Sequence, residues 1–241
     1  MSLPSVLPVH VVIPARKNSK RFPKKNKALL AGLPLITHSI QYALTEGIPS
    51  NQIWVNSDDP EILDIAREFG VQCYRRSDHL AEDTTSTAEV LSDQLEYFNQ
   101  EGITCEAIVL LQVTNPFRPK GRLLNMVKQL LDSDRSSLFT ISPLNKKFGK
   151  ITDEIFEPVN YIPGQRMQDL EPLYYENGCI YVSRISLIEQ AKVIGEDAIA
   201  VILDDLLFSV DIDEKHDLEL AEALVRIKKE INEEKKTHMG N

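Results

Sequence analysis

Only three cysteines occur among the 241 residues, and their positions argue against the common structural uses of this residue. Cys73, Cys105 and Cys179 are odd in number, far apart and without the spacing of metal ligands. A disulfide framework is therefore not expected, and a reducing cytoplasmic compartment is the simplest interpretation. The five histidines are scattered as well, and no Ser/His/Asp or Cys/His arrangement indicates nucleophilic catalysis.

Long apolar runs are missing too. No segment approaches the length of a membrane-spanning helix, so we expect no association with a membrane. Residues 1–7 carry neither a basic region nor a long apolar stretch, and no secretory signal peptide is expected. With 42% hydrophobic and 26% charged residues, the composition is that of an ordinary soluble protein. The length fits one large α/β domain with a small insertion.

Acidic residues outnumber basic ones, 36 to 27, but positive charge is dense in one segment. The net charge is −9, which argues against a general nucleic-acid binder, because phosphate backbones require a positive surface. Seven of the twelve residues from Arg16 to Lys27 are nevertheless Lys or Arg, and no acidic residue precedes Glu46. This segment, the basic loop, contains no glycine and so matches neither a P-loop nor a dinucleotide-binding fingerprint. We expect its side chains to hold a small polyanion; a solvated basic surface is the alternative.

Apolar strand patterns alternate with amphipathic helix patterns along the chain. The predicted strands are 9–15, 53–57, 71–74, 107–112, 137–141, 178–182, 198–203 and 207–211, and the predicted helices are 34–47, 60–69, 84–100, 120–131 and 215–234. This order predicts an α/β fold with a doubly wound, mostly parallel sheet. The pattern breaks over 143–173, which we interpret as an insertion into a single domain of residues 8–235. A disordered tail is expected over 236–241.

Polar segments follow several predicted strands, at the edge where doubly wound sheets bind ligands. These segments are the basic loop, 57–59, 112–116 and 211–213. Gln112 can offer a ligand both a donor and an acceptor, although 112–116 also reads as a turn entering a proline. Asp211 and Asp213 stand two apart in an apolar stretch, which places both carboxylates on the same side of a strand. Such a pair suits Mg²⁺ shared with substrate phosphates; the alternative is that one or both cap the following helix.

Taken together, these segments resemble the CMP-acylneuraminate synthetase family, whose members are cytidylyltransferases that activate nine-carbon α-keto acid sugars. The opening I-P-A-R-x-x-S-K-x-x-x-x-K-N stands here as Ile13–Asn26. The later blocks follow in family order and span nearly the whole chain: 55–62, 76–87, 110–118, 176–181 and 211–218. The resemblance implies a Rossmann-like nucleotidyltransferase that takes CMP from CTP, releases pyrophosphate and uses Mg²⁺.

The resemblance also implies roles for individual residues. The residues that would hold the CTP phosphates are Arg16, Ser19, Lys20 and Lys25. Of these, Arg16 or Lys25 would stabilise the charge on the α-phosphate. For cytosine and ribose the resemblance implies Asn26, Thr85 and Thr87, for the sugar acid Gln112, and for Mg²⁺ Asp211 and Asp213. The insertion 143–173 would form a homodimer and reach into the neighbouring subunit's site. Lys146 or Lys147, together with Arg166, would then contact the sugar carboxylate.

Other functions remain open from the sequence. Arg21-Phe22-Pro23 is similar to the Kdo cytidylyltransferases, whereas Lys25-Asn26 and the Asp-Ile-Asp block are not. A metal-dependent phosphohydrolase could use Asp211 and Asp213, but such motifs usually follow the first strand. A non-catalytic RNA- or nucleotide-binding module could use the basic loop, and the net charge argues against it. The activated sugar is undecided among sialic, legionaminic, pseudaminic and related acids.

Overall fold

Strands and helices alternate along the chain in the computed structural model, which describes residues 8–239, and side chains within 8–231. The strands are β1 Val9–Pro14, β2 Leu29–Leu30, β3 Leu33–Pro34, β4 Ile53–Ser57, β5 Gln72–Arg75, β6 Ala107–Leu110, β7 Ser137–Pro143, β8 Gly149–Thr152, β9 Ile155–Pro158, β10 Tyr174–Arg184 and β11 Ile199–Ile202. The helices are α1 Leu35–Thr45, α2 Pro60–Glu68, α3 Thr87–Gln100, α4 Leu123–Leu131, α5 Ile185–Ile188 and α6 Lys215–Met239. None of the helices in the described part of the chain is long and apolar enough to cross a membrane.

The main sheet has seven strands in the order β11-β7-β10-β6-β1-β4-β5. Neighbouring strands are parallel except at β10, which runs antiparallel to both β6 and β7. The predicted mostly parallel α/β sheet is thereby confirmed. From β1 the chain adds β4 and β5 on one side and the later strands, starting with β6, on the other. Ligands of such sheets bind beside the position where the strand order reverses in this way.

Both faces of the sheet are covered, as the alternation of side chains in β1 illustrates. Val9, Val11 and Ile13 are fully buried in the core formed with α1, α2 and α4. Val12 points to the opposite face and packs in a second core with Trp54 and α3. Each fully buried aliphatic side chain contributes about 1.5–3 kcal/mol relative to an exposed one, so the two-sided core holds β1 rigidly. The residues that follow β1 therefore start from a fixed point.

The predicted last strand, 207–211, is wrong. Asp205 accepts a hydrogen bond from the backbone N–H of Leu207 and caps a 3₁₀ turn over Leu206–Ser209 instead. The short apolar run that suggested a strand fits either structure, because periodicity alone does not separate them. Val210 and Ile212 are nevertheless buried, so the expected alternation of burial survives around Asp211 without a strand.

Several helix ends also differ from expectation, and the helix predicted from 120 begins at Leu123. The helix predicted from 84 begins at Thr87, because Ser86 caps it and forms a capping box with Glu89. At the other end of the chain, α6 runs to Met239, so 236–239 are helical where a disordered tail was expected. Gly240 and Asn241 lie outside the described residues.

The segment 143–173 carries a separate hairpin. Strands β8 and β9 pair with each other in a two-stranded sheet, and the N–H of Leu144 donates to the carbonyl of Leu173 at 2.8 Å where the segment begins and ends. Large apolar side chains here are exposed to solvent, with Ile151 at 75% and Ile162 at 74%. The others are Phe148, Ile155, Phe156, Val159 and Met167. An apolar surface of this kind is typical of an interaction site.

Candidate active site

A cleft of about 340 Å³ lies at the carboxyl ends of β1 and β6. The basic loop, the loop before α3 and the segment before α6 all contribute to its walls. Most of the residues predicted for the site line it: Arg16, Lys25, Asn26, Thr85, Thr87, Gln112, Asp211 and Asp213. Residues separated by up to almost 200 positions in the chain thus meet at one edge of the sheet, as the topology requires.

The other predicted site residues lie elsewhere. Ser19 and Lys20 are on the basic loop beside the cleft, where Lys20 pairs with the cleft residue Asp83. Lys146 and Arg166 are in the 143–173 segment, and neither is among the residues that line this chain's own cleft. The guanidinium of Arg166 donates to both oxygens of Asp169, at 2.7 and 2.9 Å.

The basic loop is held in place by hydrogen bonds at both of its ends. The buried side-chain amide of Asn26 donates to the carbonyl of Arg16 at 2.8 Å, which closes the loop on itself. The N–H of Lys17 donates to Asp58, at 2.8 Å. Burial alone would lower the pKa of Lys27, but Asp59 and Glu61, each 2.7 Å away, raise it above its ordinary value. Asn26 and Lys27 therefore shape the loop, and two of its other cations, Arg16 and Lys25, line the cleft.

Carboxylates of the cleft pair with these cations. Lys25 lies 2.9 Å from one oxygen of Asp213, and Arg21 lies 2.5 Å from the other. On the opposite rim, Asp83 pairs in the same way with Arg16 and Lys20. The basic loop thus contacts acidic residues on both sides of the cleft, which places its charge where a polyanion would bind.

The two aspartates of the Asp-Ile-Asp block have different electrostatic environments. Burial raises the pKa of Asp211, and the neighbouring Asp213 acts in the same direction. Burial would also raise the pKa of Asp213, but the hydrogen bond from Lys25 and the charges of Lys25 and Arg21 hold it below its ordinary value. Asp217, in the first turn of α6, accepts from the backbone N–H of Asp213 at 3.0 Å, so the capping role considered for Asp211 and Asp213 falls to Asp217.

The pair fits a magnesium ion that a substrate would help to hold. Carboxylate oxygens are the ligands Mg²⁺ prefers, and it usually takes one or two of them together with phosphates and water. Within the described residues no group of three or more His, Cys, Asp or Glu side chains could hold a metal ion. Asp211 and Asp213 would therefore supply part of the coordination, and not a complete protein cage.

Buried amides position the Asp-Ile-Asp block. The N–H of Ile212 donates to the carbonyl of Thr114 at 2.8 Å, directly beyond β6. The side-chain amide of Asn115 donates to the carbonyls of Asn177 and Val210, at 2.9 and 3.2 Å. Gly178 has φ +77°, and a Cβ there would lie 2.5 Å from the Asn115 side chain. The Glu-Asn-Gly segment, Glu176–Gly178, thus helps to hold the aspartates in register with β6.

Arg76 is a cleft residue that the sequence reasoning missed. It follows β5, is only 5% exposed and lines the cleft, and its Nε has no hydrogen-bond partner among the described residues. Burial lowers its pKa. A buried donor without a partner is costly, so a ligand oxygen in the cleft would stabilise it. The available signal was its place at the start of the 76–87 block, directly after a predicted strand.

Arg118 is a second missed residue, and it acts through the backbone. Its guanidinium donates to the carbonyls of Gln112 and Cys179, at 2.6 and 2.7 Å, and to the hydroxyl of Ser39 at 3.0 Å. Burial lowers its pKa to about 10. The side chain of Arg118 does not line the cleft. It holds the backbone of Gln112, and Gln112 lines the cleft.

Comparison with known proteins establishes the family of the chain. The family model described as cytidylyltransferase matches residues 10–238. The chain belongs to the cytidylyltransferase family. The earlier resemblance is thereby confirmed, and the protein is a nucleotidyltransferase.

Several named proteins are similar to this cytidylyltransferase. The CMP-N,N'-diacetyllegionaminic acid synthase of Legionella pneumophila is 34% identical over 227 residues, covering 91% of this chain and 97% of that protein. The pseudaminic acid cytidylyltransferase of Campylobacter jejuni is 28% identical, with the same two coverages. The N-acylneuraminate cytidylyltransferase of Streptococcus agalactiae is 33% identical over 71% of this chain, but only 42% of that longer protein is covered.

A solved structure agrees with the fold. The CMP:2-keto-3-deoxy-manno-octonic acid synthetase complexed with CTP superimposes with a TM-score of 0.67 at 18% identity. The match covers 91% of this cytidylyltransferase and 99% of that chain.

Proposed function

We propose that the protein transfers CMP from CTP to the anomeric hydroxyl of a nonulosonic acid and releases pyrophosphate. The observation that carries this proposal is the meeting of the basic loop with the Asp-Ile-Asp block, where Lys25 lies 2.9 Å from Asp213. A nucleoside triphosphate with a bound cation needs both kinds of group in one cleft.

The reaction forms one bond to the α-phosphorus and breaks another. The anomeric oxygen attacks the α-phosphorus, the bond to the β-phosphate oxygen breaks, and pyrophosphate leaves with that oxygen; the hydroxyl proton passes to solvent. Arg16 and Lys25 stabilise the charge that spreads over the phosphoryl oxygens. Asn26, Thr85 and Thr87 line the side of the cleft proposed for the cytidine, and Gln112 orients the sugar acid.

Asp211 and Asp213 are the proposed ligands of Mg²⁺. When bound, the ion would neutralise phosphate charge and polarise the phosphoryl oxygens. Asp213 already contacts Lys25 and Arg21, so its carboxylate exchanges partners when the nucleotide arrives. Asp211 makes no salt bridge among the described residues.

The relatives support a nonulosonic acid as the acceptor. Legionaminic, pseudaminic and N-acylneuraminic acids appear in the names of proteins that are 28–34% identical to this chain. The Kdo enzyme is similar at 18% identity, which supports the fold alone. A phosphohydrolase is less favoured, because Asp211 and Asp213 do not follow the first strand, whose carboxyl end carries the basic loop.

The segment 143–173 is the proposed dimerisation arm of a domain that spans residues 8–235. Its exposed apolar side chains, among them Ile151 and Phe156, would be covered by a second copy. Lys146 and Arg166 would then be presented to the partner's cleft, where they could contact the sugar carboxylate.

Pyrophosphate release tests the function directly. The purified protein is given each of the four ribonucleoside triphosphates with N-acetylneuraminic, legionaminic, pseudaminic acid or Kdo, with Mg²⁺ or with EDTA. We expect release with CTP, Mg²⁺ and at least one nonulosonic acid, and none with EDTA. Release with CTP and Kdo alone, or hydrolysis of phosphate esters without an acceptor, would contradict the proposal.

A further inference from the structure

Asp83 joins the two rims of the cleft. It lies on the loop that leads into α3 and faces the basic loop across the opening. Nη1 of Arg16 lies 2.6 Å from one carboxylate oxygen, and Nζ of Lys20 lies 2.8 Å from the other. Asp83 thus offers one oxygen to each of two cations, the arrangement with which a phosphate group would also meet them.

The four cations Arg16, Lys20, Arg21 and Lys25 are therefore each paired with a carboxylate before any ligand binds, two cations to one carboxylate. Arg21 and Lys25 share Asp213, which belongs to the proposed metal pair. Arg16 and Lys20 share Asp83, which has no other assigned role. The effect of the Asp83 pairs can therefore be measured without disturbing the metal.

We propose, on the basis of the proposed function, that Asp83 is a positioning residue that acts as an internal counter-anion. In the free protein its carboxylate holds Arg16 and Lys20 at the rim; a diphosphate or triphosphate displaces it. The same competition acts on the product, so Asp83 promotes the release of pyrophosphate. Ligands that do not reach these two cations are unaffected by it.

The exposure of the pairs makes this exchange feasible. The side chains of Arg16 and Asp83 are 34% and 36% exposed, and that of Lys20 is 81% exposed. Ion pairs in contact with water contribute little to stability and are screened by salt. A ligand with several negative charges can therefore replace one carboxylate, and Asp83 can return when that ligand leaves.

The test is the equilibrium binding of inorganic pyrophosphate, measured by calorimetry at fixed ionic strength without nucleotide or sugar. Asp83→Asn keeps the size of the side chain and removes its charge. We expect the Kd for pyrophosphate to fall roughly 3- to 10-fold, the size expected from losing two partly exposed pairs. An unchanged or higher Kd would show that Asp83 does not compete for Arg16 and Lys20.

Glu82→Gln is the matched control. Glu82 is the adjacent residue, also lines the cleft and makes no salt bridge with the basic loop among the described residues. Glu82→Gln changes the net charge of the cleft by the same amount as Asp83→Asn. Because Glu82 does not pair with Arg16 or Lys20, we expect less than a twofold change in the Kd for pyrophosphate. Equal tightening in both variants would assign the effect to net charge and overturn the role of Asp83.

Two further measurements complete the test. Asp83→Glu restores the carboxylate and is expected to bring the Kd back towards that of the unaltered protein; failure to do so would contradict the proposal. Turnover with CTP and a nonulosonic acid is measured separately. If Asp83→Asn tightens pyrophosphate binding but no acceptor is used, the proposed function is wrong and the counter-anion stands.

Discussion

The ammonium group of Lys25 lies 2.9 Å from the carboxylate of Asp213, although 188 positions separate the two residues. Lys25 belongs to the basic loop after β1, and Asp213 belongs to the segment before α6. The contact exists because the parallel strands deliver their following loops to one edge of the sheet. A positively charged side chain near one end of the chain and a negatively charged one near the other thus line the same cleft.

Lys25→Met is expected to lower kcat/KM for CTP by about 100-fold, since removing one charged donor at a transition state typically has an effect of this size. Lys24→Met is the control, because Lys24 is exposed and does not line the cleft. Steady-state pyrophosphate release at saturating sugar acid measures both variants. Equal losses in the two variants would mean that the charge of the loop, and not the position of Lys25, matters.

Sequence reasoning found the parts of the site that lie next to strong local patterns. Strand β1 and the place of the basic loop after it were predicted correctly, because a buried apolar run followed by a dense charge run marks the end of a strand. Asp211 and Asp213 were found although the strand predicted there is a 3₁₀ turn, since the alternation of burial is the same in both.

Residues whose role depends on tertiary contacts were not found. Arg76 reads as one more arginine beside a serine, and its burial under the cleft becomes visible only when β5 is paired with β4. Asp83 looked like a residue before a helix, and its ion pairs form only after the basic loop folds across from it. Long-range contacts of this kind leave no periodic signal in a sequence.

The exposed apolar surface of 143–173 predicts self-association. Phe156→Asp places a charge in that surface and is expected to shift the protein from dimer to monomer in sedimentation velocity experiments, because a buried unpaired charge is costly. Leu206→Asp is the matched control: Leu206 is 81% exposed and apolar but lies outside the segment. A monomeric unaltered protein, or dissociation by both variants, would contradict the proposed arm.

Gly178→Ala tests how the Asp-Ile-Asp block is held. The residue has φ +77°, and the new Cβ would lie 2.5 Å from the oxygen of Asn115, so we expect the free energy of unfolding to fall by about 2–4 kcal/mol. Gly121 has a similar φ, +68°, and a Cβ there would have nothing within 4 Å. The free energy of unfolding of Gly121→Ala should therefore fall by only about 1–2 kcal/mol. Urea denaturation compares the two.

The clash at Gly178 should also affect catalysis, since Asn115 holds the carbonyl of Val210, next to Asp211. Folded Gly178→Ala is therefore expected to need more Mg²⁺ for half-maximal turnover than Gly121→Ala. If both variants lose the same stability and keep the same Mg²⁺ dependence, Asn115 does not position the aspartates.

Acid sensitivity of the fold is expected from His10. Its ring is buried beside Trp54 and Phe98, and Nδ1 accepts a hydrogen bond from Nε1 of Trp54 at 3.0 Å. Burial lowers the pKa of His10 below the ordinary 6.5, so at pH 7 the ring is neutral in the folded protein. As the pH falls through 6.5, the unfolded chain takes up a proton before the folded protein does. The free energy of unfolding therefore decreases as the pH is lowered.

The asparagine variant isolates this contribution. In His10→Asn the side-chain oxygen can accept from Trp54 in place of Nδ1, and the residue no longer titrates. The pKa of His38 is also lowered by burial, but His38 is present in both proteins and cancels in the comparison. Between pH 7.5 and 5 the unaltered protein should therefore lose more free energy of unfolding than the variant. Parallel losses in urea titrations at the two pH values would assign the acid sensitivity to other groups.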